Sequence, residues 1–547
     1  KNIRIYLGGN LSDLSDPHQM KDMDRLVEIL AQKIRKQVHI RIIGDYDVDG
    51  VTSSHLFLTA LRRVGAKVDV VIPHRIQDGY GLSLHLLQQA KEDGVDTILT
   101  CDNGIAAIDE IAWAKAQKMT VLVTDHHAVP FEEHEGRRTE KKSLADAVVN
   151  PHQQDCGYPY KELCGAGVAW NVIRVLYENY DMDKREAEDL LDFVAMATVC
   201  DVMSLTGENR ILVKEGLKRI RHTKNIGLQA LMQACNVQPE NISAYHFGYV
   251  LGPCVNATGR LDTARHALRL FETGQETEAE EIARDLVDLN QERKELTLQG
   301  VEMAKKLCEE GGYENDPVLV LFLPDVHESI AGLIAGRIRE MYNRPVFVLT
   351  RGEEGVKGSG RSTENYSMYE NMCGCVELFT KFGGHPMAAG LSLPEENVEK
   401  FRRKINENCP LTVEEVCPDI HIDMAMPVGY ASTELVHQFA LLEPFGKDNP
   451  SPLFADRNLS ISRMWLIGKN RNVLRMSVLS EYGQPVPVIF FGDVETLFAY
   501  FTEKFGQEEV ENALHGRKNR ILFSMVYTAK IDFYQGNENL QLEMKYY

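Results

Sequence analysis

Three carboxylates stand at alternate positions, Asp45, Asp47 and Asp49, and Gly50 follows them. They come directly after Val38–Ile43, a largely apolar run whose one charged interruption is Arg41, which reads as a buried parallel strand. The triplet therefore lies where that strand stops, and in open α/β sheets ligands bind at that edge. Carboxylates this close repel one another unless a cation sits among them, so a divalent metal is the simplest chemistry they offer. The string Asp-x-Asp-x-Asp-Gly also opens an EF-hand loop, but that loop needs Glu at its twelfth position, where Leu56 stands within an amphipathic-helix pattern. A solvated acidic turn is the other plain reading. The rest of the chain weighs against both.

The elements that must position these groups repeat a strand–helix rhythm. Strands are expected near 38–44, 68–72, 96–101 and 120–124, with helices near 51–64, 83–93 and 105–118 between them and a helix near 21–36 in front. That spacing predicts a parallel sheet with right-handed crossovers. The third strand ends in Asp102-Asn103-Gly104 and the fourth in Asp125-His126-His127. In a parallel sheet these ends share one edge, so Asp45, Asp47, Asp102, Asp125, His126 and His127 are expected to converge. Oxygen ligands with some imidazole suit Mn²⁺ or Mg²⁺, and histidine tips the balance toward Mn²⁺. A helix pattern over 187–199 ends at Asp201, a further carboxylate for a two-metal site.

Composition sets the outer bounds. The 547 residues imply several domains, and 44% apolar content is ordinary for a soluble protein. A net charge of −20 argues against a broad nucleic-acid coat but leaves room for a local basic groove. Eleven cysteines without a Cys-x-x-Cys pair fit a reducing, cytoplasmic setting. No apolar run reaches about 18 residues and no signal peptide is evident, while an opening Lys1 in place of Met is expected of a chain trimmed at its start. There is no Walker loop and no Gly-x-Ser-x-Gly elbow.

Farther along, 271–312 reads as a charged connecting helix, ended by Gly311-Gly312 and Pro317. A second α/β unit follows, with strands at 318–322 and 345–349 around a helix at 330–342. Lys357–Ser362 and Phe382–Gly390 read as glycine-rich loops. After a boundary at Glu443–Pro450, short strands at 458–467, 472–479, 485–491, 520–528 and 530–534 suit a small five-stranded barrel. Arg457, Arg463, Lys469, Arg471 and Arg475, with Trp465 among them, suit single-strand binding by charge and stacking, against the plainer reading of a solvated face over a core Trp.

Gly44–Gly50, Asp102–Gly104, Asp125–His127 and Thr198–Asp201 together resemble, in order, the four motifs of the DHH phosphoesterase superfamily. Within it the chain is similar to the RecJ family of single-strand-specific exonucleases, also through His74-Arg75, Asp78–Leu82, Cys164–Val168 and Gly252–Arg260. The resemblance implies a parallel-sheet DHH domain (1–270), a connecting helix (271–312), a smaller α/β DHH-associated domain (313–440) and an OB-fold-like barrel (441–547). It implies two divalent metal ions: Asp45 on the first, Asp47, His126 and Asp201 on the second, Asp102 bridging. Asp49 and Asp125 would support these ligands, Asp125 by orienting a histidine, and His127 would face the phosphate. Asn256, Arg260, Ser359, Arg361 and His385 would contact substrate. His327 is a weaker expectation, since Val326-His327-Glu328-Ser329 departs from the family's Trp-His-Pro-Gly. A second departure is Ile43, where some relatives place a metal-binding histidine.

The expected activity is metal-dependent hydrolysis of single-stranded DNA from the 5′ end, in repair and recombination, with polarity resting on the resemblance alone. Single-stranded DNA is the implied partner. A single-strand-binding protein and a helicase are the protein partners to test, and the expected state is a cytoplasmic monomer. Two alternatives stay open: a short-oligonucleotide or cyclic-dinucleotide phosphodiesterase, and a non-catalytic replication scaffold of the same fold.

Overall fold

This computed structural model describes residues 2–75, 78, 81–134, 137–261, 263–313, 316–352, 355–407, 409–411, 420–468, 471–534 and 537–547. Gly79, Tyr80 and Lys469, singled out above, lie outside the described residues. Among the described residues no helix is long and apolar enough to cross a membrane.

The metal-motif region is built on five parallel strands: β1 (Ile40–Ile43), β2 (Val68–Val71), β3 (Thr97–Cys101), β4 (Thr120–Thr124) and β5 (Ala147–Val149). Their order is β2-β1-β3-β4-β5, and every pairing is parallel. Four strands stand where the apolar runs predict them; β5, three residues long, gives too short a pattern to read. Ile43, Ile98, Val121 and Val123 form a core with the helices 84–92 and 108–116. Helices α1 (Met23–Arg35), α2 (Val48–Arg63) and α3 (Gly165–Asn179) also pack on the sheet. Helix α2 begins three residues before the predicted start at 51, because Asp47 caps it by accepting a hydrogen bond from the Gly50 N–H.

Arg41, the charge inside β1, is buried and paired. It donates to both carboxylate oxygens of Asp69, its register partner on β2, at 2.9 and 2.6 Å, and to Asp93 at 2.8 Å. Ile43, in contrast, is wholly buried in the core.

Beyond the sheet, α4 (Leu191–Cys200) ends at Asp201, and α5 (Gly252–Leu261) carries Asn256 and Arg260. The charged stretch after 271 is one long helix, α6 (Glu276–Glu310); residues 265–272 form a separate helix, α7 (Arg265–Glu272), broken from it at Thr273-Gly274. The second α/β sheet orders its strands 381–385, 388–393, 355–361, 346–352 and 319–322. Here the structure corrects the sequence reading. Lys357–Arg361 belongs to an antiparallel strand, and Phe382–Gly390 lies in a hairpin, not in open loops. Glycine serves packing there: a Cβ at Gly360 would lie 2.5 Å from Met368 Sδ.

The chain divides into two compact units. Residues 14–203 and 215–419 form one, holding both sheets; residues 1–13, 204–214 and 420–547 form the other. The second unit contains a closed barrel, 454–467, 473–479, 485–490, 537–546 and 522–534 in order, with 522–534 pairing back onto 454–467. Two predicted strands, 520–528 and 530–534, are one continuous strand, because pairing with 537–546 runs unbroken through Thr528, Ala529 and Lys530. The strand at 537–546 and helices at 494–505 and 507–514 were not legible in the pattern. Trp465 is half-buried, with the Arg463 and Arg475 guanidinium groups 5.7 and 5.8 Å from its ring centre.

Arg41→Ala removes the guanidinium from which both Asp69 and Asp93 accept. Because these carboxylates are 40% and 55% exposed, the expected loss is about 1–2 kcal/mol, below that of a fully buried pair. Burial pushes the Asp69 carboxyl up, but the Arg41 hydrogen bonds and charge outweigh it and hold it below its ordinary value. That stabilisation is present above the unfolded pKa and lost as pH falls through the folded one. Urea unfolding should show the variant and native stabilities converging below about pH 4.

Candidate metal centre

The loops after β1, β3 and β4 bring six of the predicted groups together, and α4 adds a seventh. Asp45, Asp47 and Asp102 offer ligand atoms within 4.8 Å of one another; so do Asp49, His126 and Asp201, and so do Asp102, His126 and His127. All the expected metal ligands are therefore in these clusters. Asp49 is a participant too, its Oδ2 lying 3.7 Å from His126 Nε2. Asp47 groups with Asp45 and Asp102.

Each position has a local cause. Asp102 leaves β3 in the left-handed region at φ 61°, which Asp tolerates. The neighbouring Asn103 amide donates to the Ile43 and Cys101 carbonyls at 3.0 and 2.9 Å, tying the ends of β1 and β3 together. Asp49 accepts from the Gly165 and Ala166 N–H groups at 2.6 and 2.7 Å, so the start of α3 carries its charge. That approach needs glycine: a Cβ at Gly165 would sit 2.6 Å from the Cβ of Asp102. A Cβ at Gly50 would sit 2.4 Å from the Asp45 carbonyl oxygen.

Asp125 orients His127, accepting from its Nδ1 side at 2.8 Å and from the His126, His127 and Ile105 N–H groups at 2.7, 3.1 and 2.8 Å. Burial raises the Asp125 carboxyl, but these contacts hold it below its usual value. Burial likewise lowers His127, yet the Asp125 hydrogen bond and surrounding carboxylates prevail and push it up to about 9. Asp45, Asp47 and Asp102 shift the other way. Burial first, then mutual repulsion, raises Asp45 and Asp102 well above the carboxylate range and raises Asp47. Asp45 Oδ1 is buried with no hydrogen-bond donor among the described residues. His126, kept below its ordinary pKa chiefly by burial, points Nε2 at Asp102 Oδ1 (3.0 Å), Asp201 Oδ2 (3.6 Å) and Asp49 Oδ2 (3.7 Å). A neutral imidazole nitrogen ringed by carboxylate oxygens, beside a buried carboxylate oxygen without a donor, is a donor set that fits divalent cations.

The predicted substrate contacts divide. Ser359 lines a cavity of about 420 Å³ together with Tyr46, Arg75, Ser329, Lys357 and Lys381. Arg260 donates to the Ser329 carbonyl at 2.6 Å and is held down to about 10 by burial and by its neighbours Arg75, Arg293 and Arg361. Arg361 lies against Gly332 of the 328–342 helix. Asn256 accepts from the Val48 N–H at 3.2 Å, bracing the start of α2. His385 is exposed on its strand and does not line the cavity. His327 caps the 328–342 helix. Arg75, with its guanidinium 4.9 Å from the Tyr46 ring centre, is a cavity residue that the site prediction omitted. Its signal was present, since His74-Arg75 is among the family-like stretches.

Three family models match the chain in order: "DHH family, N-terminal domain" over residues 39–198, "DHHA1 domain" over 315–409 and "RecJ OB domain" over 422–546. Fold and site thus define a DHH-family protein with its associated domain. A single-stranded-DNA-specific exonuclease RecJ of Haemophilus influenzae is 32% identical over 99% of this chain and 93% of its own. The chain therefore belongs to the RecJ family. The RecJ of Bacillus subtilis is 33% identical over 88% of this chain, which spans 60% of that relative's length. The crystal structure of RecJ in complex with Mn²⁺ from Thermus thermophilus superposes with a TM-score of 0.77 at 25% identity, covering 99% of this chain and 74% of that one.

Asp125→Asn removes the charge that holds His127 protonated. In the metal-free protein the His127 pKa should fall from about 9 toward 6.5, as read from its ring signals in NMR titration. Metal affinity should fall by about 10–100-fold.

Proposed function

We propose that this chain is a metal-dependent exonuclease that hydrolyses phosphodiester bonds of single-stranded DNA from the 5′ end. The observation that carries the reading is the convergence of five buried or half-buried carboxylates and two histidines at one sheet edge, in a family whose named relatives are single-stranded-DNA-specific exonucleases. Asp45 would hold one divalent cation and Asp47, His126 and Asp201 the other, with Asp102 shared between them and Mn²⁺ favoured over Mg²⁺ by the imidazole. Asp49, whose oxygens already accept two backbone N–H groups, would support the second set. Bound cations supply an activated water at neutral pH and neutralise charge on the phosphodiester.

The chain's own residues do the rest. His127, kept positive by Asp125, holds a charge for the phosphoryl oxygens. Arg75, Arg260, Ser359 and Arg361 supply phosphate donors, and a terminal phosphate held there would restrict the cut to a strand end. Asn256 acts by bracing α2, and His385 from an exposed strand. In the barrel, Trp465 with Arg463 and Arg475 offers stacking and charge to a single strand. Residues 1–270, 313–440 and 441–547 are assigned to metal binding, substrate binding and strand binding. A cytoplasmic monomer working with a single-strand-binding protein and a helicase completes the reading. The intact ligand set weighs against a scaffold without catalysis.

Strands labelled at either end test the polarity. With Mn²⁺ or Mg²⁺ a 5′ label should appear at once as mononucleotide while a 3′-labelled strand shortens stepwise, and EDTA should stop both. Cleavage confined to dinucleotides would favour the small-substrate alternative. Asp102→Ala should abolish hydrolysis and metal binding by calorimetry; full activity in that variant would overturn the shared-ligand assignment.

A further inference from the structure

The cavity that Ser359 lines is cationic with one exception. Among its described lining residues Arg75, Lys357 and Lys381 carry positive charge, and Glu328 is the single acid.

That acid has a fixed place. Lys357, Ser359 and Arg361 alternate along the strand 355–361, so they share one face of it. The helix 328–342 packs against this strand. Its Gly332 stands at the Ser359 and Arg361 end: a Cβ there would lie 3.2 Å from Ser359 Oγ and 2.9 Å from Arg361 Nη2. Glu328 stands one turn earlier on the same helix, and its carboxylate pairs with Lys357 Nζ at 2.8 Å. The row of three phosphate donors therefore meets a glycine at one end and an acid at the other. The Glu328 and Lys357 side chains are 21% and 44% exposed, so an entering ligand can reach the pair. Glu328 also lies in the first turn of its helix, where open N–H groups favour negative charge. An anion that reaches Lys357 has to compete with a carboxylate already held from two sides.

We propose that Glu328 is a specificity-determining residue: by engaging Lys357 at the far end of the row, it admits a strand end with one phosphate, seated at Ser359 and Arg361, and disfavours an end with a chain of phosphates. The inference rests on the reading of this cavity as the terminal-phosphate site. A single phosphate is served by a hydroxyl and a guanidinium side by side. A polyphosphate extends along the row, reaches Lys357 and brings its charge to Glu328. Lys357 can then serve only one of the two anions, and like charges close together in a partly exposed site weaken binding by about fivefold or more.

Single strands of one sequence, ending in a 5′-hydroxyl, a 5′-monophosphate or a 5′-triphosphate, test this through kcat/KM in Mn²⁺. Glu328→Gln should raise kcat/KM by about fivefold or more for the triphosphate end, by about twofold at most for the monophosphate end, and leave the hydroxyl end unchanged. Glu328→Lys should widen the same series, and added salt should compress it. An equal change on all three ends, or none on any, overturns the proposal and makes the Glu328–Lys357 pair a brace between helix and strand. Calorimetry of the full chain with inorganic tripolyphosphate in EDTA reads the pair without any strand being cut. Glu328→Gln should tighten that binding by about fivefold or more, and the binding of inorganic phosphate by about twofold at most. If this holds while no strand is cut, the nuclease reading fails and the role of Glu328 stands. If strands are cut from the 5′ end and every end responds alike, the role of Glu328 fails and the nuclease reading stands.

Discussion

Repulsion among buried carboxylates is the constraint around which the metal-motif region is arranged. Asp45, Asp49, Asp102 and Asp125 are all nearly inaccessible, and Asp47 and Asp201 stand beside them. Burying charges of one sign together costs far more than the sheet's own stability can absorb unless each is neutralised or hydrogen-bonded. The fold answers unequally. Asp125 is served by three backbone N–H groups and a histidine ring, and Asp49 by the start of a helix. Asp45 and Asp102 are left raised. Asp45 keeps a buried oxygen without a donor among the described residues, which is the kind of group a cation would satisfy.

Backbone closeness makes that arrangement attainable. The start of α3 reaches the β3 loop because Gly165 has no Cβ to strike Asp102, and α2 begins against Asp45 because Gly50 has none. Asn103 then ties the two strand ends. The cationic side of the molecule is built by the same economy. A chain of net charge −20 gathers Arg75 and Arg361 beside Arg260, whose basicity is depressed by burial and by these neighbouring charges. Such crowding of cations is characteristic of a place prepared for an anion.

Much of this was legible in the residue order. The strand–helix rhythm placed four of the five parallel strands, since buried parallel strands are apolar runs and their crossovers are amphipathic. Because a parallel sheet puts every strand end on one edge, Asp45, Asp47, Asp102, Asp125, His126 and His127 could be expected to meet before any coordinate was known. The glycine-rich stretches at 357–362 and 382–390 misled, because glycine in a strand that packs under Met368 looks the same in sequence as glycine in a turn. The barrel's last strand, 537–546, carries too many polar residues for alternation to show.

The sequence by itself determined which groups would do chemistry and along which edge, because residue type and strand period are local properties. Tertiary structure decided how the groups share charge. It set Asp49 against the N–H groups of Gly165 and Ala166, more than a hundred residues away, and turned Asn256 to brace α2. Those outcomes depend on which distant backbones can approach without a side chain between them, and no periodicity in one segment records what another will bring to it.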